Sequence, residues 1–416
     1  MKTTLLLAGL AGAALGVPRP QDNPEDPPAV ECAPFPDPLP SWDGYPAQSS
    51  LPDPFLPIQY MTTAGADGAT PADIMAGLGP NRIQTPEEWY QCQRPQLLHL
   101  LQEFQYGYYP DHSLETVTAT RTGDTIAISV EADGKTANFE ATVSLPSGEG
   151  PFPVVIAIGG GPQGYLQEGI AVAEFNYMAV AADSNAKSGA FWDLYGDRDI
   201  GVLTAWAWGF HRVLDALNAT APEIDPTRVG VTGCSRLGKG ALAASVFDER
   251  ITLSMPMSSG VQGFGPYRYY SLSGQGENLD NSKEGAPWWT ASRIGEFVGH
   301  HENLPFDAHT VAAVVATRAI VADQGVGDQF VNSEGSSTVI FPAAKVVYDF
   351  LGAGDKLAIA IRQGGHCDPS GFNNVLPYAK HILLDEPLDR DYHDLGSYGG
   401  ALTEAFPWAE NAPQGA

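Results

Sequence analysis

Basic residues are scarce in this chain. Its 416 residues hold 22 Lys and Arg against 49 Asp and Glu, a formal net charge of −27 at pH 7. A phosphate backbone must be met by clustered cations, and no stretch supplies them, so no nucleic acid partner is expected. Acidic excess spread over a chain favours solubility. Long apolar runs are missing too: none reaches the roughly 18–20 residues that crossing a bilayer needs, and no membrane partner is expected. No internal repeat is visible. Cysteine is limited to four residues, Cys32, Cys92, Cys234 and Cys367, which allow three pairings.

What is present begins with Met1–Gly16. Lys2 gives a positive start, Leu5 to Leu15 is small and apolar, and Ala14-Leu15-Gly16 closes in small residues. That is the pattern of a cleavable signal peptide, so a secreted, extracellular protein is expected, in a compartment that lets cysteines pair. Residues 17–57 are rich in Pro and Asp and read as an arm wrapped on the body. Residues 58–416 read as a single catalytic domain. The sequon Asn218-Ala219-Thr220 makes Asn218 a candidate for glycosylation.

Helical spacing of apolar residues over 85–108 gives way to alternation over 116–145, broken at Gly123 and Asp133-Gly134, as in antiparallel strands. After Pro151 the rhythm changes. Short apolar runs at 154–158, 171–183, 229–232, 251–256, 318–322 and 357–361 read as strands. Segments 200–217, 239–247, 310–316 and 341–351 read as helices between them. This alternation predicts an α/β fold, a mostly parallel sheet covered on both faces in three layers. The aromatic, irregular stretch 263–306 is placed as a wall or lid beside the site.

Gly233-Cys234-Ser235-Arg236-Leu237-Gly238-Lys239 lies between a predicted strand and helix. A serine hydroxyl is a weak nucleophile until it is held out toward a base, and a sharp strand-to-helix turn does this where small residues flank the serine. The second glycine stands one position later than in the usual G-x-S-x-G elbow. The candidate base is His366 in Gly364-Gly365-His366-Cys367-Asp368, just after the last predicted strand, matching the hydrolase order of serine, acid, histidine. His309, in Phe306-Asp307-Ala308-His309, reads as a cap or packing group. With both Ser235 and His366 at work, Cys234 and Cys367 lie on adjacent loops, which predicts Cys234–Cys367 and leaves Cys32–Cys92.

Gly-Cys-Ser-Arg-x-Gly-Lys followed by a late Gly-His-Cys resembles the glucuronoyl esterases, carbohydrate esterase family 15. Leu304-Pro305-Phe306-Asp307-x-His309 and Glu88-Trp89-Tyr90-Gln91-Cys92-Gln93-Arg94 are similar to stretches of that family, and the likeness runs from about residue 85 to 384. The resemblance implies an α/β-hydrolase fold, no metal or other cofactor, and hydrolysis of 4-O-methyl-glucuronoyl esters joining xylan glucuronic acid to lignin alcohols. The partner it implies is a lignin–carbohydrate ester or glucuronoxylan, and a monomer is expected. Carried over, Ser235 attacks the carbonyl, His366 moves the proton, Arg236 stabilises the oxyanion and Lys239 bonds sugar hydroxyls.

Three positions depart from the family. Many members carry a Glu just after the strand that follows the nucleophile helix, and Ser258 stands there instead. The acid is therefore expected after the next strand, at Asp328, with Asp323 and Glu334 as alternatives. A family Trp corresponds to Gln329 and a family Gln to Asp280, with Trp288 and Trp289 as replacement stacking surfaces. An acetyl or feruloyl carbohydrate esterase is the close rival, and the missing Glu alone supports a catalytically silent carbohydrate-binding relative.

Overall fold

Alternation of apolar and polar residues decides the first three strands of the structure. It is a computed structural model describing residues 30–63, 69–269, 276–388 and 390–415. The expected signal peptide and the first part of the arm lie outside the described residues. The chain divides into two units between Glu31 and Cys32, and every described helix and strand belongs to the second.

Strands β1 (Glu115–Thr122), β2 (Thr125–Ala132) and β3 (Lys135–Ser144) form an antiparallel meander. Its tight turns need left-handed backbone, which Gly123 and Asp133-Gly134 supply with φ of 60°, 51° and 73°. Six strands then run parallel: β4 (Phe152–Ile158), β5 (Ala171–Phe175), β6 (Ile224–Cys234), β7 (Leu253–Met257), β8 (Ala319–Gly325) and β9 (Leu357–Arg362). The nine strands lie in the order β1-β2-β3-β5-β4-β6-β7-β8-β9, with β3 antiparallel to β5.

Parallel strands buried on both faces have to be apolar at successive residues, and neighbouring residues serve different cores. Val154, Ile156 and Ile158 join one cluster with the helices Val202–Thr220, Arg236–Phe247, Ala308–Val315 and Phe341–Phe350. Val155, Leu253, Met255 and Val321 join another with Tyr378 and Leu383 of the helix Ser370–Leu384. The result is three layers, an α/β-hydrolase fold.

Two elements differ from the sequence reading. The run 171–183 is a strand only to Phe175. There Asn176 caps the short helix Tyr177–Val180 by accepting from the Met178 amide at 3.0 Å. The helix Ser370–Leu384 was not expected at all. Parts of the arm from Cys32 onward enter the core: Leu39, Tyr45, Leu51, Phe55 and Leu56 are buried, while residues 32–38 stay exposed or half-buried, and a disulfide joins Cys32 to Cys92. Asn218 is exposed near the C-terminal end of the Val202–Thr220 helix. Among the described residues no helix is long and apolar enough to cross a membrane.

Candidate active site

Ser235 is the residue between β6 and the helix Arg236–Phe247, and its backbone sits at φ 59°, ψ −130°. A side chain in this region is strained by about 1–3 kcal/mol, and the surroundings enforce it. The Ser235 amide donates to the Met257 carbonyl at 2.9 Å, and its carbonyl accepts from the Lys239 amide at 3.1 Å. The helix must then fold back against the strand it has just left. A Cβ on Gly233 would stand 2.7 Å from the Leu237 carbonyl, and one on Gly238 would stand 2.8 Å from the Gly233 oxygen. Those contacts explain why glycine is needed at position 238. Leu237 is free to be large because its side chain reaches over Gly159 after β4, where a Cβ would meet it at 2.2 Å.

His366 follows β9, one-fifth exposed, and its Nδ1 lies 2.9 and 3.1 Å from the two carboxylate oxygens of Asp328. Asp328 has no exposed side-chain surface. Burial pushes its carboxyl up, but hydrogen bonds from His366 and from the Phe330 amide outweigh this and hold it below the ordinary carboxylate value. The buried Ser258 hydroxyl, which meets no partner at ordinary hydrogen-bond geometry among the described residues, adds to the lowering. Ser235 and His366 line one cleft of about 370 Å³ with Glu277, Asn281, Trp289, Gln329 and Phe330. Cys234 and Cys367, the immediate neighbours of serine and histidine, are joined by a disulfide with their Cα atoms 5.7 Å apart.

The other acid candidates are placed elsewhere. Asp323 is fully buried and bonds Arg362 Nε at 3.0–3.1 Å and Asn374 at 3.0 Å. Burial raises its carboxyl despite both partners. Glu334 lies in the short helix Ser333–Gly335. Arg236 stays at the site, its Nε 2.5 Å from Asp183 and its side chain more than one-third exposed. Asp183 also accepts the indole N–H of both Trp288 and Trp289 at 2.8 Å. These four residues line a second cleft of about 310 Å³ that shares Glu277, Asn281 and Trp289 with the first.

Lys239 differs from its expected place. Its side chain is 1% exposed and its Nζ is engaged by Glu277 and by the Val261 carbonyl at 2.6 Å. Burial pushes its ammonium down while Glu277 pulls it up. With its ammonium held by these two partners, Lys239 meets the cleft through Glu277, which lines it. Asp280 likewise turns away, accepting from the Gly299 amide at 3.0 Å, and Asn281 is the insert amide that faces the cleft. Glu277, Asn281 and Phe330 were missed in the sequence because nothing in the composition of an irregular stretch, or of the short helix Leu279–Gly285 that carries Asn281, says which side chain faces inward. Arg362 had a readable signal, a charge closing an apolar strand before Gly364-Gly365.

A family model described as glucuronyl esterase, fungi, matches residues 128–352, more than half of the chain. The chain belongs to the fungal glucuronyl esterase family. The 4-O-methyl-glucuronoyl methylesterase of Hypocrea jecorina is 35% identical over 309 residues, 71% of this chain and 65% of that protein. The 4-O-methyl-glucuronoyl methylesterase of Thermothelomyces thermophilus is 31% identical over 389 residues, 89% of this chain and 91% of that one. The chain therefore spans just under two thirds of the Hypocrea relative's length and nearly all of the Thermothelomyces one. Among solved structures, a family 15 glucuronoyl esterase from Caldicellulosiruptor kristjansonii superposes with a TM-score of 0.74 at 33% identity, covering 83% of this chain and 93% of that one. A glucuronoyl esterase variant from Sporotrichum thermophile, solved in complex with methyl 4-O-methyl-beta-D-glucopyranuronate, gives 0.75 at 28%, covering 90% and 98%.

Proposed function

We propose that this protein is a secreted serine esterase that hydrolyses 4-O-methyl-glucuronoyl esters, releasing a uronic acid and an alcohol. The observation that carries the reading is His366 held by a buried Asp328 in a cleft shared with the strained Ser235. The family's relatives supply the substrate class, and the two disulfides favour an extracellular site.

In the first half-reaction the Ser235 hydroxyl attacks the uronate carbonyl carbon while His366 Nε2 takes its proton. Asp328 on Nδ1 fixes the tautomer and stabilises the imidazolium. Negative charge then gathers on the carbonyl oxygen. The Arg236 amide at the start of its helix and the Arg236 guanidinium, steadied by Asp183, are the donors for it. Each fixed donor of this kind is worth about 2.7–4 kcal/mol of barrier. The tetrahedral adduct collapses as His366 protonates the departing alcohol oxygen. A water then repeats the sequence on the acyl-enzyme, His366 accepting its proton and returning one to Ser235. Glu277, Asn281 and Gln329 offer hydrogen bonds to the sugar hydroxyls, and Trp289 offers an apolar face.

The test is hydrolysis of benzyl glucuronate by the purified protein, with Ser235→Ala as control. Turnover that falls at least about 10⁴-fold in the variant is expected. Turnover of an acetyl or feruloyl ester in place of the uronate would keep the serine and discard the substrate. Inertness toward all three would return the binding-only reading.

A further inference from the structure

Few large apolar side chains of the described residues stand in water, and one of them is at the site. Phe330 is 65% exposed, and its ring centroid lies 4.9 Å from that of His366 at an interplanar angle of 51°. The backbone under it is fixed from both sides. Its amide donates to Asp328 Oδ1 at 2.9 Å, and the next amide, of Val331, donates to the same oxygen at 3.1 Å. Its carbonyl accepts from the Glu277 amide at 2.8 Å. An aromatic ring kept exposed, and positioned by the residue proposed as the catalytic acid, calls for an occupant rather than for packing.

The reaction geometry says which part of the substrate that occupant is. His366 can protonate the leaving oxygen only from hydrogen-bond distance, so the alcohol lies against the imidazole when the ester breaks. Glu277, Asn281 and Trp289 form the wall on which the sugar is read. Phe330 flanks the imidazole itself and lines the same cleft, so it stands beside the group that His366 has to protonate. A benzylic alcohol carries its ring one carbon beyond the leaving oxygen, within reach of an aromatic surface at that place, in an offset or edge-to-face arrangement. A methyl ester has nothing to put there.

We propose that Phe330 is the alcohol-side platform of this enzyme and selects aryl-alkyl alcohols over small aliphatic ones. The proposal rests on the uronate-ester reading above, and its experiment separates the two. Values of kcat/KM are measured for benzyl and methyl glucuronate with the wild type, Phe330→Ala and Phe330→Trp. The intrinsic difference between the two alcohols as leaving groups, and any inactive fraction of a preparation, cancel when the benzyl-to-methyl ratio of one protein is divided by that of another. The ratio is expected to fall about three- to tenfold in Phe330→Ala and to be held in Phe330→Trp. An unchanged ratio in Phe330→Ala, with both esters turned over, overturns the platform and leaves the uronate reading standing. Failure of the wild type on both esters overturns the uronate reading and the platform with it.

Discussion

Ser258 occupies the position where many relatives carry a glutamate, with φ at 42° and no exposed surface. A hydroxyl that small cannot reach across to an imidazole, and it lies instead beside the carboxylate that does. Asp328 comes from the loop after β8, its side chain without exposed surface, and accepts from His366 and from two loop amides at once. Replacing Asp328 with Asn keeps the shape and the amide bonds while removing the charge that holds the imidazolium. We expect kcat to fall about 10³–10⁴-fold with little change in the thermal midpoint, measured by uronate ester hydrolysis and circular dichroism. A loss below tenfold would strike Asp328 from the mechanism. The placement of Asp328 against His366 was legible in the sequence because a carboxylate in a Gly-bearing loop beyond a strand has room to turn toward a histidine. The burial of Lys239 against Glu277 was not legible, because its partner is 38 residues further on and only the fold brings the two together.

At the scale of elements, the acid loop and the histidine loop are two strands' ends kept in register. Gly327 donates to the Gly364 carbonyl at 2.9 Å and Val326 to the Arg362 carbonyl at 2.9 Å. Arg362 ties them again, with Nε on Asp323 at the end of β8 and Nη1 on the Gly365 carbonyl, next to His366, at 3.0 Å. We expect Arg362 to act as a positioning residue, through the backbone that carries His366. Arg362→Met leaves the buried Asp323 uncompensated, which costs about 3–5 kcal/mol. The double variant Asp323→Leu, Arg362→Met removes the orphaned charge and should recover most of that stability. It does not restore the donor to Gly365, so kcat should stay down about ten- to hundredfold in both. Denaturant unfolding with single-turnover kinetics checks this, and a rate that recovers along with stability would reduce Arg362 to a structural role. The strands themselves were legible because their apolar runs are continuous and bounded by glycine. The Ser370–Leu384 helix was not, since Pro369 precedes it and Pro377 lies inside it, and proline reads as a breaker where tertiary packing overrides it.

Over the whole molecule, the arm and the last residues of the chain close on the same point of the body. His309, at the start of the Ala308–Val315 helix, is fully buried with Nε2 2.9 Å from the Pro52 carbonyl of the arm, and its ring stacks on Trp408 near the C-terminus. The Trp408 indole donates in turn to the Leu51 carbonyl at 3.0 Å. Its sequence reading as a packing group agrees with this place, but the partners come from 257 residues before and 99 after, separations that no local pattern carries. Nε2 must carry the hydrogen in that bond, and Nδ1 has no partner among the described residues, so a second proton would sit unpaired in the core. Burial accordingly lowers the His309 pKa from its ordinary 6.5 to about 4. Which state takes the proton fixes the sign. Between pH 6.5 and 4 the unfolded chain protonates this imidazole and the folded chain does not, so stability is full above 6.5 and is lost as the pH falls toward 4, by about 3 kcal/mol in all. His309→Gln keeps a donor for Pro52 without a titrating group. Urea unfolding of both proteins at pH 7 and pH 4 should show the wild type losing about 3 kcal/mol more than the variant, every other carboxylate and histidine contributing alike to the two. Parallel losses would mean that the clasp of arm, helix and C-terminus opens at acid pH through a different group.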